Sequence, residues 1–196
     1  MNKILLTLLF VTSTVQLFGQ KKEKDTAKVI LPTKDGLVYY ESVIDSIGSK
    51  SKESLYNASL KWMAESFVDS KEVIQIKDPV AGSIVGSGRF DYTPKGFMST
   101  SQRMSFMVEI TVKDNKSRIR LYKFKNKILG SSGYGLVAAS GDSDYISIDK
   151  GYQTYLSNKR FPKENRSYFQ AIDERIQGII KSYKEFLSSN SNDDNF

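Results

Sequence analysis

The chain contains no cysteine and no histidine. Without thiols there are no disulfides, no thiolate nucleophile and no cysteine for lipid attachment at a signal peptide. Without imidazole, the Ser-His-Asp and Cys-His routes to an activated nucleophile are closed, as are histidine-based zinc sites. Proline is scarce, at four residues, and there is a single tryptophan, Trp62. Long apolar runs are missing after the first two dozen residues, so no later segment is apolar enough to span a bilayer, which takes ~20 helical residues. A fold built under these limits must be held by its apolar core alone.

What is present is globular in character. Of 196 residues, 39% are hydrophobic, 26% are charged, and 11 Tyr and 11 Phe supply ring packing. That balance excludes a disordered chain and suits one domain with appendages. The formal charge is +7. The basic residues are scattered along the chain, so the charge reads mainly as solubility.

The N-terminus has the layout of a signal peptide. Lys3 gives a positive start, Ile4 to Val11 is a short apolar run, and small Gly19 precedes the charged KKEK. Cleavage is expected after Gly19 or after Gln20. Removing Lys3 leaves 28 basic against 22 acidic residues, or +6. An exported chain without cysteine fits a Gram-negative periplasm or cell envelope, as a non-lipoprotein with no transmembrane helix after cleavage. The boundaries expected are a signal peptide over 1–19, a flexible leader over 20–34, one domain over 35–188 and a disordered tail over 189–196. Within the domain, the core is 36–125 and 163–188, and 126–162 is an irregular insert.

Residues 37–46 are β-branched and aromatic and predict a strand. Ser51 to Lys71 predicts an amphipathic helix, with Ser51 as N-cap and Leu55, Tyr56, Leu60, Trp62, Met63 and Phe67 on one side. Trp62 could stack on a ligand, but its place in the middle of that stripe favours core packing. Residues 73–77 and 82–92 predict two more strands, the second twisted or bulged at Gly86 and Gly88. Residues 103–113 alternate most cleanly, with Met104, Phe106, Val108, Ile110 and Val112 on one face. Asp114-Asn115 is turn chemistry, and 117–124 returns as a partner strand. Phe124 is out of phase with Ile119 and Leu121, so a bulge is expected near Tyr122. Residues 163–188 predict a second long helix with Phe169, Ile172, Ile176 and Ile180 in its stripe. The expected core anchors are Trp62, Leu55, Phe67, Phe106, Val108, Ile176 and Ile180. The fold class is α+β: a two-layer antiparallel sheet with two helices on one face, in β-α-β-β-β-β-α order.

An ordered set of residues carries a family resemblance. It comprises the 36–47 strand, Ser51-Lys52-x-x-Leu55-Tyr56, Trp62, Ile84-x-Gly86-x-Gly88, and Val112-Lys113-Asp114-x-Lys116-x-Arg118. Over 36–124 the chain resembles an exported domain of unknown function with a TBP-like (TATA-binding-protein-like) fold, common in Bacteroidota. The resemblance implies a fold and an export route. It implies no catalytic residues, and the fold's name does not bring DNA binding with it.

No chemistry-bearing constellation stands out. Gly82-x-x-x-Gly86-x-Gly88-Arg89 lacks the Gly-Lys-Ser/Thr ending of a phosphate loop and reads as strand glycines. Asp142, Asp144 and Asp149 lack the order of a calcium loop and read as a solvated turn. Asp25-Thr26-Ala27 and Asp45-Ser46-Ile47 match a short glycosylation pattern that three residues also reach by chance. Arg118, Arg120 and Tyr122, in a basic run extending to Lys127, are the candidate contact residues. The function expected is a non-catalytic envelope domain, with no metal and no cofactor, binding a protein, glycan or lipid. The alternatives are a carboxylate-based enzyme acting on glycan and, least favoured, a nucleic-acid binder. Expressed in a Gram-negative host, the mature chain should begin at Gln20 or Lys21 by N-terminal sequencing. A product retaining Met1 to Gly19 would make that segment an anchor.

Overall fold

The centre of the molecule is a long antiparallel hairpin, β5 (Gln102–Lys113) with β6 (Lys116–Ile128). Its turn is Asp114-Asn115, where Asn115 takes the left-handed φ of 59° that asparagine tolerates. Around it lie β1 (Thr33–Lys34), β2 (Leu37–Asp45), β3 (Ile74–Asp78), β4 (Ser83–Tyr92) and β7 (Ile146–Ser147). The sheet runs in the order β1-β2-β6-β5-β4-β3, with β7 also on β6, and every pair is antiparallel. The helices are α1 (Lys52–Ser66), α2 (Asp149–Ser157) and α3 (Lys163–Ser189). The computed structural model describes residues 27–45, 49–67, 74–95, 101–129, 144–158 and 163–189. The signal-peptide reading, the glycine-rich 130–135 stretch, Leu136 to Ala139, Asp142 and the C-terminal tail lie outside the described residues.

This is the expected α+β architecture, with one helix more among the described residues than the sequence reading assigned. β5 follows its alternation completely: Met104, Phe106, Val108, Ile110 and Val112 are buried while Ser105, Met107, Glu109 and Thr111 face the other way. In β6 the inward set is Ser117, Ile119 and Leu121, and then the phase changes. Register passes from Met107↔Tyr122 to Ser105↔Lys125, so Lys123 and Phe124 together oppose Phe106. Lys123 adopts a φ of 57°. This bulge turns Phe124 inward, where it is fully buried, and explains its broken parity in the sequence. In the β3–β4 pair the irregularity lies in β3, between Ile74 and Ile76, opposite Gly86 and Val85. Gly88 has a packing reason: a Cβ there would sit 2.6 Å from the Phe106 ring.

α1 begins as its sequence indicates, with the Ser51 hydroxyl accepting from the Ser54 amide at 3.2 Å. The hairpin turn adds a second cap, since Asp114 Oδ1 accepts from the Lys52 amide at 2.7 Å. The helix ends at Ser66, short of the expected Lys71, and Phe67 follows in extended conformation. At the other end of the layer, Lys50 Nζ donates to the Leu187 carbonyl at 2.8 Å and closes the C-terminus of α3.

The core anchors Trp62, Leu55, Phe67, Phe106, Val108 and Ile176 are buried, whereas Ile180 is only half-buried and packs on the core's margin. Ring contacts run through this layer: Tyr183 to Trp62 (4.7 Å), Trp62 to Phe67 (5.6 Å), Phe67 to Phe106 (6.0 Å), Phe106 to Phe124 (5.8 Å), and Phe124 to Tyr40 (5.8 Å). One polar junction sits inside. The buried Tyr183 hydroxyl meets Ser117 Oγ at 2.6 Å and Ser59 Oγ at 2.7 Å, and Ser59 in turn donates to the Leu55 carbonyl. α1, α3 and β6 are joined there by a satisfied network.

The stretch expected as flexible leader is docked over its described part. β1 and β2 form a hairpin through Asp35-Gly36, with positive φ at both residues, the pattern that suits a two-residue turn. Upstream, the Leu31 amide donates to Tyr152 Oη at 2.6 Å and the Val29 amide to Tyr155 Oη at 2.8 Å. Leu31 is buried. Both tyrosines belong to α2, which falls within the expected irregular insert. Asp149 is a tether rather than an ion ligand, since its Oδ1 accepts from the Val38 amide at 2.8 Å and its Oδ2 from the Ser147 hydroxyl at 2.6 Å.

Tyr183→Phe should destabilise by roughly 1–2 kcal/mol, because Ser117 Oγ loses its partner while buried; urea unfolding reads this directly. Burial pushes the Tyr183 phenol up to about 12, above its ordinary value of 10.0. The stability it contributes is therefore complete below pH 10 and falls as pH rises through about 12. The Tyr183→Phe variant should lose stability less steeply over that window.

Candidate functional site

The alternation that buries one side of β5 and β6 lays out the other side as a flat field, since all three described helices sit on the inner face. Three outward rows cross it in register. One is Tyr39–Tyr122–Met107–Ser87, the next Glu41–Arg120–Glu109–Val85, and the third Val43–Arg118–Thr111–Ser83. Arg118, Arg120 and Tyr122 thus occupy consecutive outward positions of one strand, and the bulge at Lys123 ends the series. The basic run read in the sequence is divided there: Lys123 and Lys125 are exposed beyond the field, and Lys125 pairs with Ser147 of β7.

Electrostatics divides the two arginines. Arg120 is clamped between carboxylates, with Nε to Glu41 Oε2 at 2.7 Å and Nη1 to Glu109 Oε1 at 2.8 Å. The hydrogen bond from Arg120 holds the Glu41 carboxyl below the usual carboxylate range, and its partner guanidinium is raised by the same contact. Arg118 sits one row away, flanked by Val43 and Thr111, and its buried Nε has no hydrogen-bond partner among the described residues. Elsewhere on the field Arg103 forms a two-point contact with Asp91 at 2.7 and 2.8 Å, and Lys116 meets Asp45 at 2.7 Å.

Tyr39 and Tyr122 lie side by side, with centroids 6.1 Å apart and planes 29° from parallel. Lys34 Nζ stands 5.3 Å from the Tyr39 centroid and Lys123 Nζ 5.9 Å from that of Tyr122. Partial burial raises both phenols, so they are neutral donors at ordinary pH. The field therefore offers two ring surfaces and a thioether from Met107, next to a row in which one guanidinium bridges two carboxylates.

Glu41, Glu109, Tyr39 and Met107 were missed by sequence reading. Glu109 facing Arg120 follows from counting out from the Asp114-Asn115 turn. Glu41 and Tyr39 depend on β2 pairing with β6 some 80 residues away, which local patterns do not encode. The two carboxylates are brought together, but as ligands of one guanidinium. A glycosidase pair needs one member raised to act as acid, and Glu41 is shifted the opposite way. Two clefts of about 400 and about 370 Å³ lie away from this field.

Residues 39–127 match the family model described as a domain of unknown function (DUF4468) with TBP-like fold. Among solved structures the chain is similar to a DUF4468 family protein from Bacteroides ovatus, at 15% identity and TM-score 0.64, covering 80% of this chain and 90% of that one. It is also similar to a TBP-like protein from Parabacteroides distasonis, at 15% identity and TM-score 0.54, covering 78% and 96%. At such identities the likeness is one of fold. A comparison with curated proteins finds no match.

Arg120→Ala should destabilise by roughly 1 kcal/mol, because it leaves Glu41 and Glu109 facing each other across the vacated row. Adding Glu109→Gln should recover part of that loss in urea unfolding. Arg118→Ala is expected to stay within about 0.5 kcal/mol of the parent.

Proposed function

We propose, on the premise that residues 39–127 form a DUF4468 domain of TBP-like fold, that the chain is an exported envelope domain. In this reading it binds a protein partner through the open sheet face and performs no catalysis. The observation that carries it is the uncovered outer face on which Tyr39 and Tyr122 lie 6.1 Å apart beside Met107, with Arg118 and Arg120 in the adjoining rows. Tyrosine, arginine and methionine are the residues enriched where proteins bind each other, and arginine and tyrosine recur as hot spots. Export is supported by Lys3, the Ile4 to Val11 run and Gly19. A source among Bacteroidota is supported by the Bacteroides and Parabacteroides relatives.

The same field argues against nucleic acid. Binding to a phosphate backbone needs several uncompensated cations, and Arg120, Arg103 and Lys116 each already face carboxylates. That compensation also weakens the case for an anionic lipid surface. A glycan is the second reading, favoured by the near-parallel tyrosine rings, which provide a platform for sugar stacking. Against catalysis stands the Glu41 carboxyl, which the hydrogen bond from Arg120 holds below the usual carboxylate range.

The test is crosslinking in intact cells with the parent and with Arg118→Glu and Tyr122→Ala variants, read by mass spectrometry. The reading expects one or more protein crosslinks lost in both variants at unchanged protein level. An unchanged set of partners overturns the surface, and selective loss of retention on envelope polysaccharide moves the assignment to a glycan.

A further inference from the structure

The second surface to consider lies on the helical side. The C-terminal end of α1, the middle of α3 and the strand β4 border an open cleft of about 400 Å³. Phe67, Phe90, Gly178 and Ile179 line it, with Trp62 buried beneath, and Arg89, Arg175 and Glu174 stand around it. That volume is in the range of sites for small organic ligands.

Gly178 is the feature the fold itself does not explain. It is the sole glycine of the 27-residue helix α3, and it costs roughly 1 kcal/mol against alanine in a helix interior. A Cβ built there meets nothing within 4 Å. No packing partner among the described residues requires the missing side chain, yet Gly178 lines the cleft, and any side chain there would reduce it. The residues around it share one face of α3: Glu174 and Arg175 a turn before, Ser182 a turn after.

The polar groups indicate the sign of the guest. Arg175 lies over the Phe90 ring at 5.8 Å, a stacked cation whose position is defined by the cleft wall. Glu174 is turned along the helix, accepting from Gln170 Nε2 at 2.9 Å. Ser182 Oγ accepts from Trp62 Nε1 at 3.3 Å and keeps its own proton for a guest. Arg175 and Ser182 thus present donors at the mouth of a cleft whose apolar side is Ile179 and the edge of Phe90.

We propose that this cleft binds a small organic anion, its apolar body along Ile179 and the edge of Phe90 and its acid group at Arg175. The site is separate from the sheet face and stands or falls independently of it. Trp62, as the only tryptophan, reports on occupancy. Titration with 1-anilinonaphthalene-8-sulfonate should quench Trp62 emission saturably, with one probe per chain. Gly178→Leu fills the space with a better helix former, so it should unfold no earlier than the parent while binding weakens on the order of tenfold or more. Arg175→Glu should weaken the sulfonate by a similar factor, and the uncharged N-phenyl-1-naphthylamine should bind the parent more weakly than the sulfonate does. Arg118→Glu, on the opposite side of the sheet, should bind as the parent. Absence of saturable quenching, or undiminished binding to a folded Gly178→Leu chain, overturns the site. Equal affinity for the uncharged probe overturns its anion preference.

Discussion

One extra residue in β6 governs how the two faces of this sheet are divided. Up to Tyr122 the strand presents Arg118, Arg120 and Tyr122 outward and Ser117, Ile119 and Leu121 inward. Lys123, in left-handed conformation, breaks the alternation, and Phe124 enters the core against Phe106 and Tyr40. A strand without that insertion would carry Phe124 to solvent or Tyr122 to the core, and either would cost a buried ring. The same residue marks a change of neighbour. Below it β6 pairs with β2, and beyond it with β7, which leads directly into α2.

The inner layer is specified by rings and by one polar junction. Trp62, Phe67, Phe106 and Phe124 transmit contact from α1 across the sheet, and Gly88 makes room for the Phe106 ring. The Tyr183 hydroxyl selects the relative placement of α1, α3 and β6, since both serines must reach it at once. Apolar packing alone is non-directional, and this junction is where direction enters. The outer layer is organised oppositely, by charge pairs exposed to solvent, and it has room for a partner because no described helix covers it.

Much of this architecture is legible in local pattern. The Met104 to Val112 alternation, the Ser51 cap, the parity break at Phe124 and the stripe of α3 each have a short-range cause, and each is in place. What escapes local reading is set by distant partners. α2 contains Gly151 and Thr154, poor helix formers, and holds its helix by burying Tyr152 and Tyr155 on Leu31 and Phe169. The Asp35-Gly36 hairpin had a signal in its dipeptide, obscured by the polar residues before it. Ile179 and Ile180 lie beside the buried line through Ile172, Ile176, Tyr183 and Leu187, so a stripe correct in period was too wide at these two residues. Of the outer face, the Glu109–Arg120 pair follows from hairpin register, while Glu41 and Tyr39 require knowing that β2 lies against β6.

The strap formed by Lys28 to Leu31 joins partners far apart in the chain. Lys28, Val29 and Leu31 bond to Leu156, Tyr155 and Tyr152 across 128, 126 and 121 residues. Any process that delivers this polypeptide N-terminus first, whether synthesis or passage through a membrane pore, exposes Leu31 long before its cover exists. Closure of the domain then waits for the last third of the chain. Until that moment the β1–β2 hairpin has its turn but not its backing, and the amides of Val29 and Leu31 remain open to whichever hydrogen-bond acceptor arrives first.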